Sequence, residues 1–392
     1  MLTRRQFLLG LGAAAASAIL SLPLGVNKGL THDARNKQKP FSPDCDWVID
    51  NIAIIDGTGG PSFQGKVAVK GSVITAVGDF ATPAGVKTFD GRGQILSPGF
   101  IDIHTHTEDY VFGGESMAAF LSQGVTTQVG GNCGNSPLDI AGYFKTVPRL
   151  AINYGLLVGY NALRKAVMGG RNIGKTNPAQ LKLMQEYLSR QLQAGALGLS
   201  VGLEYSPQHF ATTEELVALC EVVREYGGFY ATHIRSEYNN VLPALEEAIE
   251  IGVRAKVPVQ YSHIKAGYKD NWQKFPRVLE MLQEAGSSGL DITADVYPYT
   301  FSSMDLGTNP LRHSISEENM EAALVHPRVF VASDSGIYRG GRANHPRTYG
   351  NYPRVLGLMV REKKLIPMEK AIAKMTSQPA RRLKLKDRGL VE

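Results

Sequence analysis

The fold of this chain is decided by the stretch at residues 98–106, which reads PGFIDIHTH. Its apolar residues follow a proline–glycine turn and predict a buried β-strand. Successive side chains of a strand point to opposite faces, so His104 and His106 lie on the same face. Two imidazoles that project together from a strand end are a candidate metal clamp. Histidine pairs are also common in cores and on surfaces, so this stretch alone leaves metal binding open.

Further apolar segments follow this strand and alternate with stretches of helix length, such as Glu214–Tyr226 and Leu242–Ile251. This alternation is typical of βα units around a parallel sheet. It predicts an α/β protein with a (β/α)8, TIM-like barrel at residues 97–377, whose active-site residues lie at the carboxyl ends of the strands. The predicted strands are Phe100–His104, Thr126–Gly130, Asn153–Val158, Leu197–Val201, Gly228–Thr232, Val257–Ser262, Asp291–Val296 and Arg328–Ala332.

A different pattern precedes the barrel. Residues 44–96 read as short β-rich segments between glycine turns and predict a small β-sheet domain. Residues 1–26 contain Arg4 and Arg5 before an alanine-rich apolar run, which is typical of a twin-arginine signal peptide and predicts export to the periplasm or the cell exterior. An uncleaved membrane anchor is the alternative, since about 20 apolar residues can span a bilayer. The polar residues 27–43 predict a linker.

The composition narrows the function classes. The chain has 392 residues, of which 43% are hydrophobic and 20% charged, and these values exclude a disordered or polytopic membrane protein. The net charge of +6 is spread along the chain without a dense basic block, which argues against nucleic acid as a partner. Three widely separated cysteines cannot build a disulfide framework. We expect a small-molecule partner, with an oligomer possible and membrane contact only through an uncleaved leader.

Side chains that bind metals cluster at the predicted strand ends. If the barrel forms, these residues converge on one rim, and their mixture of imidazoles, a thiolate and a carboxylate suits zinc. Six ligands are enough for two neighbouring metals, or for one metal with spare partners. For the cysteine, a small buried thiol without a ligand role is the alternative. The candidate ligands are His104, His106, Cys133, His233, His263 and Asp334.

The ordered motifs resemble those of the amidohydrolase superfamily and, within it, the N-acyl-D-amino-acid deacylases, or D-aminoacylases. The resemblance extends from about Asp46 to Val391. Hydantoinases and dihydroorotases resemble the pattern at the first strand but bridge two metals with a carboxylated lysine at the fourth, where residues 196–201 contain no lysine. The resemblance implies that Cys133 bridges instead. It is carried by residues 98–106, 131–134, 199–205, 233–237, 262–265 and 345–350.

The resemblance also implies a division of the ligands. Cys133, His233 and His263 would hold the tighter zinc ion, and His104, His106 and Asp334 a weaker second one. Zinc lowers the pKa of a coordinated water towards about 7 and polarises a carbonyl group. Asp334 would act as general base and then as general acid on the departing amine, unless it serves only as a ligand.

A substrate of this class carries a free carboxylate, which needs cationic partners. Lys265 and Arg347 are candidates, with Tyr297 as a hydrogen-bond donor; a purely structural ion pair is the alternative for each. We therefore expect zinc-dependent hydrolysis of N-acyl-D-amino acids to a carboxylate and a free D-amino acid. Other amidohydrolase activities on cyclic amides or dipeptides, and a catalytically impaired metal-binding homologue, are the alternatives.

Two departures from the family pattern stand out. The connection between Thr300 and Arg328 is short, where the resemblance implies a longer insertion that covers the pocket. The segment 378–392 leads back towards the small β domain, where the resemblance implies a longer return that completes a composite β-sandwich. We expect a more open site and a small sheet with unpaired edges.

Overall fold

The structure, a computed structural model, describes residues 41–113, 117–169, 173–338, 342–343 and 345–392. The predicted leader at residues 1–26 and most of the predicted linker at 27–43 lie outside the described residues, and both stay predictions. No helix within the described ranges is long and apolar enough to cross a membrane.

A small sheet forms the first part of the described chain. Strands β1 to β3 pair antiparallel, and β4 and β5 lie parallel to β1, in the order β3-β2-β1-β4 with β5 also on β1. The strands are β1 (Trp47–Ile54), β2 (Phe63–Lys70), β3 (Val73–Gly78), β4 (Lys87–Asp90) and β5 (Ile95–Leu96). Val391 packs into the apolar face of this sheet, and its backbone N–H donates to the carbonyl of Asp56 at 2.9 Å. The last residues of the chain therefore do return to the sheet.

Parallel strands form the predicted (β/α)8 barrel, which is confirmed. The ring has eight strands, because β6 and β7, β9 and β10, and β15 and β16 are consecutive segments of the first, third and eighth strand. Hydrogen bonds connect each strand to the next, and β16 pairs with β7 to close the ring. The strands are β6 (Phe100–Asp102), β7 (Thr105–His106), β8 (Val125–Gly130), β9 (Asn153–Leu156), β10 (Val158–Gly159), β11 (Gly198–Gly202), β12 (Phe229–His233), β13 (Val259–Tyr261), β14 (Ile292–Val296), β15 (Val329–Val331) and β16 (Ser335–Tyr338); β17 (Arg342–Ala343) adds a short hairpin to β16.

Helices surround the barrel and bury their apolar faces against it. Several begin at a polar cap, as where the Thr212 side chain accepts from the Glu215 N–H and the Ser316 side chain from the Asn319 N–H. The α-helices are Ala118–Leu121, Ile140–Thr146, Tyr160–Met168, Pro178–Gln193, Thr213–Glu225, Val241–Ala255, Phe275–Ser287, Glu317–Val325, Arg347–Arg354, Met368–Met375 and Ser377–Arg382; a π-helix spans Val355–Glu362, and 3-10 turns span Tyr110–Phe112, Gln208–Phe210 and Lys269–Lys274.

The first and last barrel strands are each broken near their carboxyl ends. In the first strand the break lies between β6 and β7, where the sequence predicts one continuous strand to His104. In the last strand it lies between β15 and β16. A buried side chain forms part of the junction there: Asp102 accepts hydrogen bonds from Ser333 Oγ at 2.5 Å and Ser333 N at 3.0 Å. The Asp334 N–H also donates to the His104 carbonyl at 2.9 Å. This junction places His104 and Asp334 side by side.

The opposite end of the barrel is closed by the helix Ser377–Arg382. Ala380 and Leu383 pack into the apolar interior with Leu197 and Phe229 at the amino ends of their strands. The sequence assigns residues 378–392 to the return towards the small sheet. The apolar residues at the start of this segment instead fill the amino-terminal end of the barrel.

Acid should destabilise this end of the barrel through His326. Burial, together with the positive charges of Lys374 and Arg328, lowers the pKa of His326 from 6.5 to about 4. Between these pH values the unfolded chain binds a proton that the folded chain does not, so this contribution to the free energy of unfolding is lost as the pH falls from about 6.5 to 4. We expect His326→Asn, whose amide oxygen can replace the acceptor for the Arg328 N–H, to flatten the pH dependence of urea unfolding. The exposed His209→Asn is the matched control, and equal slopes in all three proteins would contradict the assignment.

Candidate active site at the carboxyl ends of the barrel strands

The six predicted ligand residues converge at the carboxyl end of the barrel. Together with Glu237, their side chains form three overlapping groups in which the possible ligand atoms lie within 4.8 Å of one another. The groups are His104, Cys133 and His263; His104, His106 and Asp334; and His233, Glu237 and His263. The structure thus brings the predicted weaker set together as a unit. It joins Cys133 and His263 with His104, and His233 lies on the far side of His263 with ring centroids 4.6 Å apart.

The backbone is unusual at three of these ligands. Cys133, His263 and Asp334 have φ values of 50°, 36° and 48°, in a region of backbone conformation that residues other than glycine rarely occupy. Gly134 beside the cysteine packs so tightly that an added Cβ would lie 1.8 Å from the Gln208 amide oxygen. Backbone strain of this kind concentrates at functional sites, where it aims side chains that a regular strand would point elsewhere.

The distances between ligand atoms fit zinc. Cys133 Sγ lies 3.6 Å from both His104 Nε2 and His263 Nε2. A tetrahedral zinc ion with Zn–S of about 2.3 Å and Zn–N of about 2.0–2.1 Å separates such ligands by about 3.6 Å. Asp334 Oδ1 lies 3.2 Å from His106 Nε2 and 3.5 Å from His104 Nε2, close to the ~3.3 Å expected for nitrogen and oxygen ligands.

One imidazole atom supports the same conclusion. His233 Nδ1 is buried and has no hydrogen-bond partner among the described residues, while its Nε2 lies 3.3 Å from Glu204 Oε2. A ligating histidine typically uses one nitrogen for the metal and gives the other to a carboxylate. The residues present therefore fit a zinc centre.

The charges of the site favour the thiolate form of Cys133, which binds a metal, and the protonated form of His106, which does not. Burial would raise the pKa of the Cys133 thiol, but the neighbouring imidazoles, His104 above all, hold it well below its usual range. Burial would lower the pKa of His106, but its hydrogen bond with Asp334 and the nearby Cys133 thiolate raise it to about 10. The His106 imidazole therefore favours its protonated form, and metal binding must displace that proton.

Three carboxylates behind the ligands were missed by the sequence analysis. Asp295 Oδ1 lies 3.1 Å from His104 Nδ1 and accepts from the His263 N–H at 2.8 Å. Glu237 Oε1 lies 2.8 Å from His263 Nδ1, and Glu204 contacts His233. Carboxylates in this position fix the tautomer and the direction of ligand imidazoles. Their only sequence signal is an acidic residue in or just after a predicted strand.

The predicted substrate-binding residues lie beside the ligands and use only part of their hydrogen-bonding capacity. Arg347 Nη2 lies 2.8 Å from Asp334 Oδ2 and 2.9 Å from Ser303 Oγ, and its guanidinium stacks 4.3 Å from the Tyr297 ring centroid. Arg347 Nε, Arg347 Nη1 and the Tyr297 hydroxyl are buried without partners in the described part of the chain. Lys265 is held by both oxygens of Glu237, each at 2.8 Å. Unpaired buried donors beside a metal centre fit an anionic group of a ligand.

Sequence comparison agrees with this geometry. The Amidohydrolase family matches residues 95–392. The chain belongs to the amidohydrolase family. The resemblance drawn from its motifs is thereby confirmed.

The relatives of this amidohydrolase include deacylases. An N-acyl-D-aspartate deacylase of Alcaligenes xylosoxydans xylosoxydans is 33% identical over 419 residues, covering 88% of this chain and 83% of the relative. The crystal structure of a D-aminoacylase superposes with a TM-score of 0.80 at 29% identity, covering 89% of this chain and 88% of that chain. An N-acyl-D-glutamate deacylase of Bordetella bronchiseptica, solved with zinc and a phosphonate that mimics the tetrahedral intermediate, gives a TM-score of 0.81 at 29% identity, with 89% and 88% covered.

The thiol of Cys133 should be required for metal binding. We expect Cys133→Ala to lose most bound zinc, because it removes the one sulfur ligand from the group that Cys133 forms with His104 and His263. Metal analysis of the purified proteins measures this, and Cys45→Ala in the small sheet is the control that keeps its zinc. Wild-type zinc content in Cys133→Ala would show that the thiol is not a ligand.

Proposed function

We propose that this protein hydrolyses the amide bond of N-acyl-D-amino acids, releasing a carboxylate and a free D-amino acid, with zinc as its metal. The observation that carries the proposal is the juxtaposition of a six-residue ligand set with the unpaired donors of Arg347 and Tyr297. A metal beside a carboxylate-binding pocket is what an amide substrate with a free carboxylate requires. The D-configuration of the substrate and its N-acyl amide bond are inferred from the deacylases among the relatives.

The ligand set and Asp334 divide the chemistry. When bound, zinc supplies Lewis-acid chemistry that polarises the amide carbonyl and makes water more acidic. Although burial would raise it, the pKa of Asp334 is held well below its usual range by Arg347 and the surrounding imidazoles. Asp334 is therefore ionised at neutral pH and can accept a proton from the attacking water. The same carboxyl group then delivers that proton to the departing amine nitrogen.

The substrate carboxylate is assigned to Arg347, Lys265 and the Tyr297 hydroxyl. Arg347 offers two unpaired donor nitrogens, Nε and Nη1, and the Tyr297 hydroxyl offers another donor. Lys265 adds a positive charge, and its contact with Glu237 fixes the direction of its side chain. Held at this end, the substrate presents its amide to the ligand set.

Removal of the Asp334 carboxylate should strongly reduce turnover. We expect Asp334→Asn to lower kcat about 10²- to 10⁴-fold on a panel of N-acetyl-D-amino acids, because the proton acceptor and donor is lost. The variant should keep zinc on the remaining ligands. Asp270→Asn, on an exposed turn, is the control with normal turnover. Full activity in Asp334→Asn would restrict Asp334 to a ligand role, and no turnover by zinc-loaded wild-type protein on the whole panel would refute the proposed function.

The guanidinium fork of Arg347 should set the affinity for the substrate carboxylate. Arg347→Lys keeps the charge but loses the planar pair of donors, so we expect KM to rise roughly tenfold or more. Steady-state kinetics with one N-acetyl-D-amino acid and with its amide, which lacks the carboxylate, measures the effect: the penalty should disappear for the amide. Arg354→Lys, at the other end of the same helix, is the control. An equal penalty for both substrates would contradict carboxylate recognition.

A further inference from the structure

Glu204 is a partly exposed carboxylate beside the ligand set, and its ion-pair partner among the described residues is the His233 imidazole rather than a lysine or arginine. It lies two residues after β11, and its side chain is 22% exposed. Its Oε2 contacts His233 Nε2 at 3.3 Å and accepts a long hydrogen bond of 3.4 Å from the Glu237 N–H. Within the described ranges, its only ion-pair contact is with His233, and no lysine or arginine nitrogen lies within 4.0 Å.

The other carboxylates at the rim differ from Glu204 in this respect. Glu237 is matched by Lys265 at 2.8 Å, and Asp334 is matched by Arg347 at 2.8 Å. In both pairs, a buried carboxylate contacts the permanent positive charge of a lysine or an arginine. Glu204 therefore adds a negative charge that the protein itself leaves unbalanced by any lysine or arginine.

Tyrosine side chains border this carboxylate. The Tyr205 ring lies 4.7 Å from the His233 ring and is 38% exposed. Burial and the negative charge of Glu204 raise the pKa of the Tyr238 phenol, and Tyr238 stacks on Tyr268 with ring centroids 5.1 Å apart. A carboxylate flanked by aromatic rings is a combination that attracts organic cations, through charge-assisted hydrogen bonds and cation–π contacts.

The position of Glu204 in the barrel places it across the mouth from Arg347, which pairs with Asp334 at 2.8 Å. Glu204 follows the fourth barrel strand, whereas Asp334 lies in the eighth, and these strands stand on opposite sides of an eight-stranded ring. A substrate whose carboxylate binds at Arg347 can therefore extend another group across the mouth towards Glu204.

We infer that Glu204 recognises a positively charged substrate side chain, so that the preferred substrates are N-acyl-D-amino acids with a basic side chain, such as D-arginine or D-lysine. This inference rests on the proposed function. An acidic side chain, like those of the substrates named for two of the relatives, would meet a like charge at Glu204 and be disfavoured.

The test compares three substrates on zinc-loaded wild-type protein and on Glu204→Gln. The substrates are N-acetyl-D-arginine, the uncharged N-acetyl-D-norleucine and the acidic N-acetyl-D-glutamate. We expect wild-type kcat/KM to favour arginine over norleucine by roughly ten- to hundredfold, and Glu204→Gln to bring this ratio close to one. Because Glu204 also contacts His233, a loss shared by all substrates cancels in the ratio. Glu204→Asp, which keeps the charge, should retain part of the preference.

Each outcome bears on the inference. Glu221→Gln, exposed on the outer helix Thr213–Glu225, is the matched control and should keep the wild-type ratio. Turnover with equal kcat/KM for arginine and norleucine, a preference for glutamate, or a preference that survives in Glu204→Gln would overturn the inference and leave the proposed function standing. Absence of turnover on all three substrates and on the wider N-acetyl-D-amino-acid panel, with zinc bound, would overturn both.

Discussion

The junction between the first and last barrel strands is the constraint on which the site depends. Asp102 and Ser333 are 231 positions apart in the chain, yet the buried Asp102 carboxylate accepts both the backbone N–H and the hydroxyl of Ser333. Burial raises the pKa of Asp102 to about 6, although the Ser333 hydrogen bonds oppose this shift. Since His104 and Asp334 each lie within two residues of this contact, the bonds that close the barrel also set the distance between two candidate ligands.

Behind the ligands, a layer of carboxylates and amides fixes their directions. Asp295 is itself held by Gln260, whose amide donates to Asp295 Oδ2 at 2.9 Å, and Gln260 in turn accepts from Thr293 at 2.6 Å. The chain of contacts extends from the barrel wall to the His104 ring. Such satisfied buried networks are rigid, because every member loses a partner when one moves. The ligand geometry is thus a property of the barrel interior rather than of the loops alone.

The sequence predicts the parts of this arrangement that follow from local patterns. Alternating apolar strands and helices predict the barrel, and polar residues at strand ends predict the ligands, because parallel strands end at one rim. Asp295 escapes prediction because it lies inside a strand that reads as core, and its partners are distant in sequence. Likewise, no local pattern reveals that Ala380 and Leu383 fill the barrel floor. Nor can the sequence show that Cys133 and His263 approach His104, since that depends on backbone conformations at positive φ.

The position of His104 has a consequence for the stoichiometry of the site. Its Nε2 lies 3.6 Å from Cys133 Sγ and 3.5 Å from Asp334 Oδ1, so one imidazole nitrogen faces both ligand groups. That nitrogen has a single lone pair and can serve one ion at a time. An ion that takes His104 into one group removes it from the other, and this competition is reciprocal. The two ligand groups would therefore compete for one imidazole when metal binds.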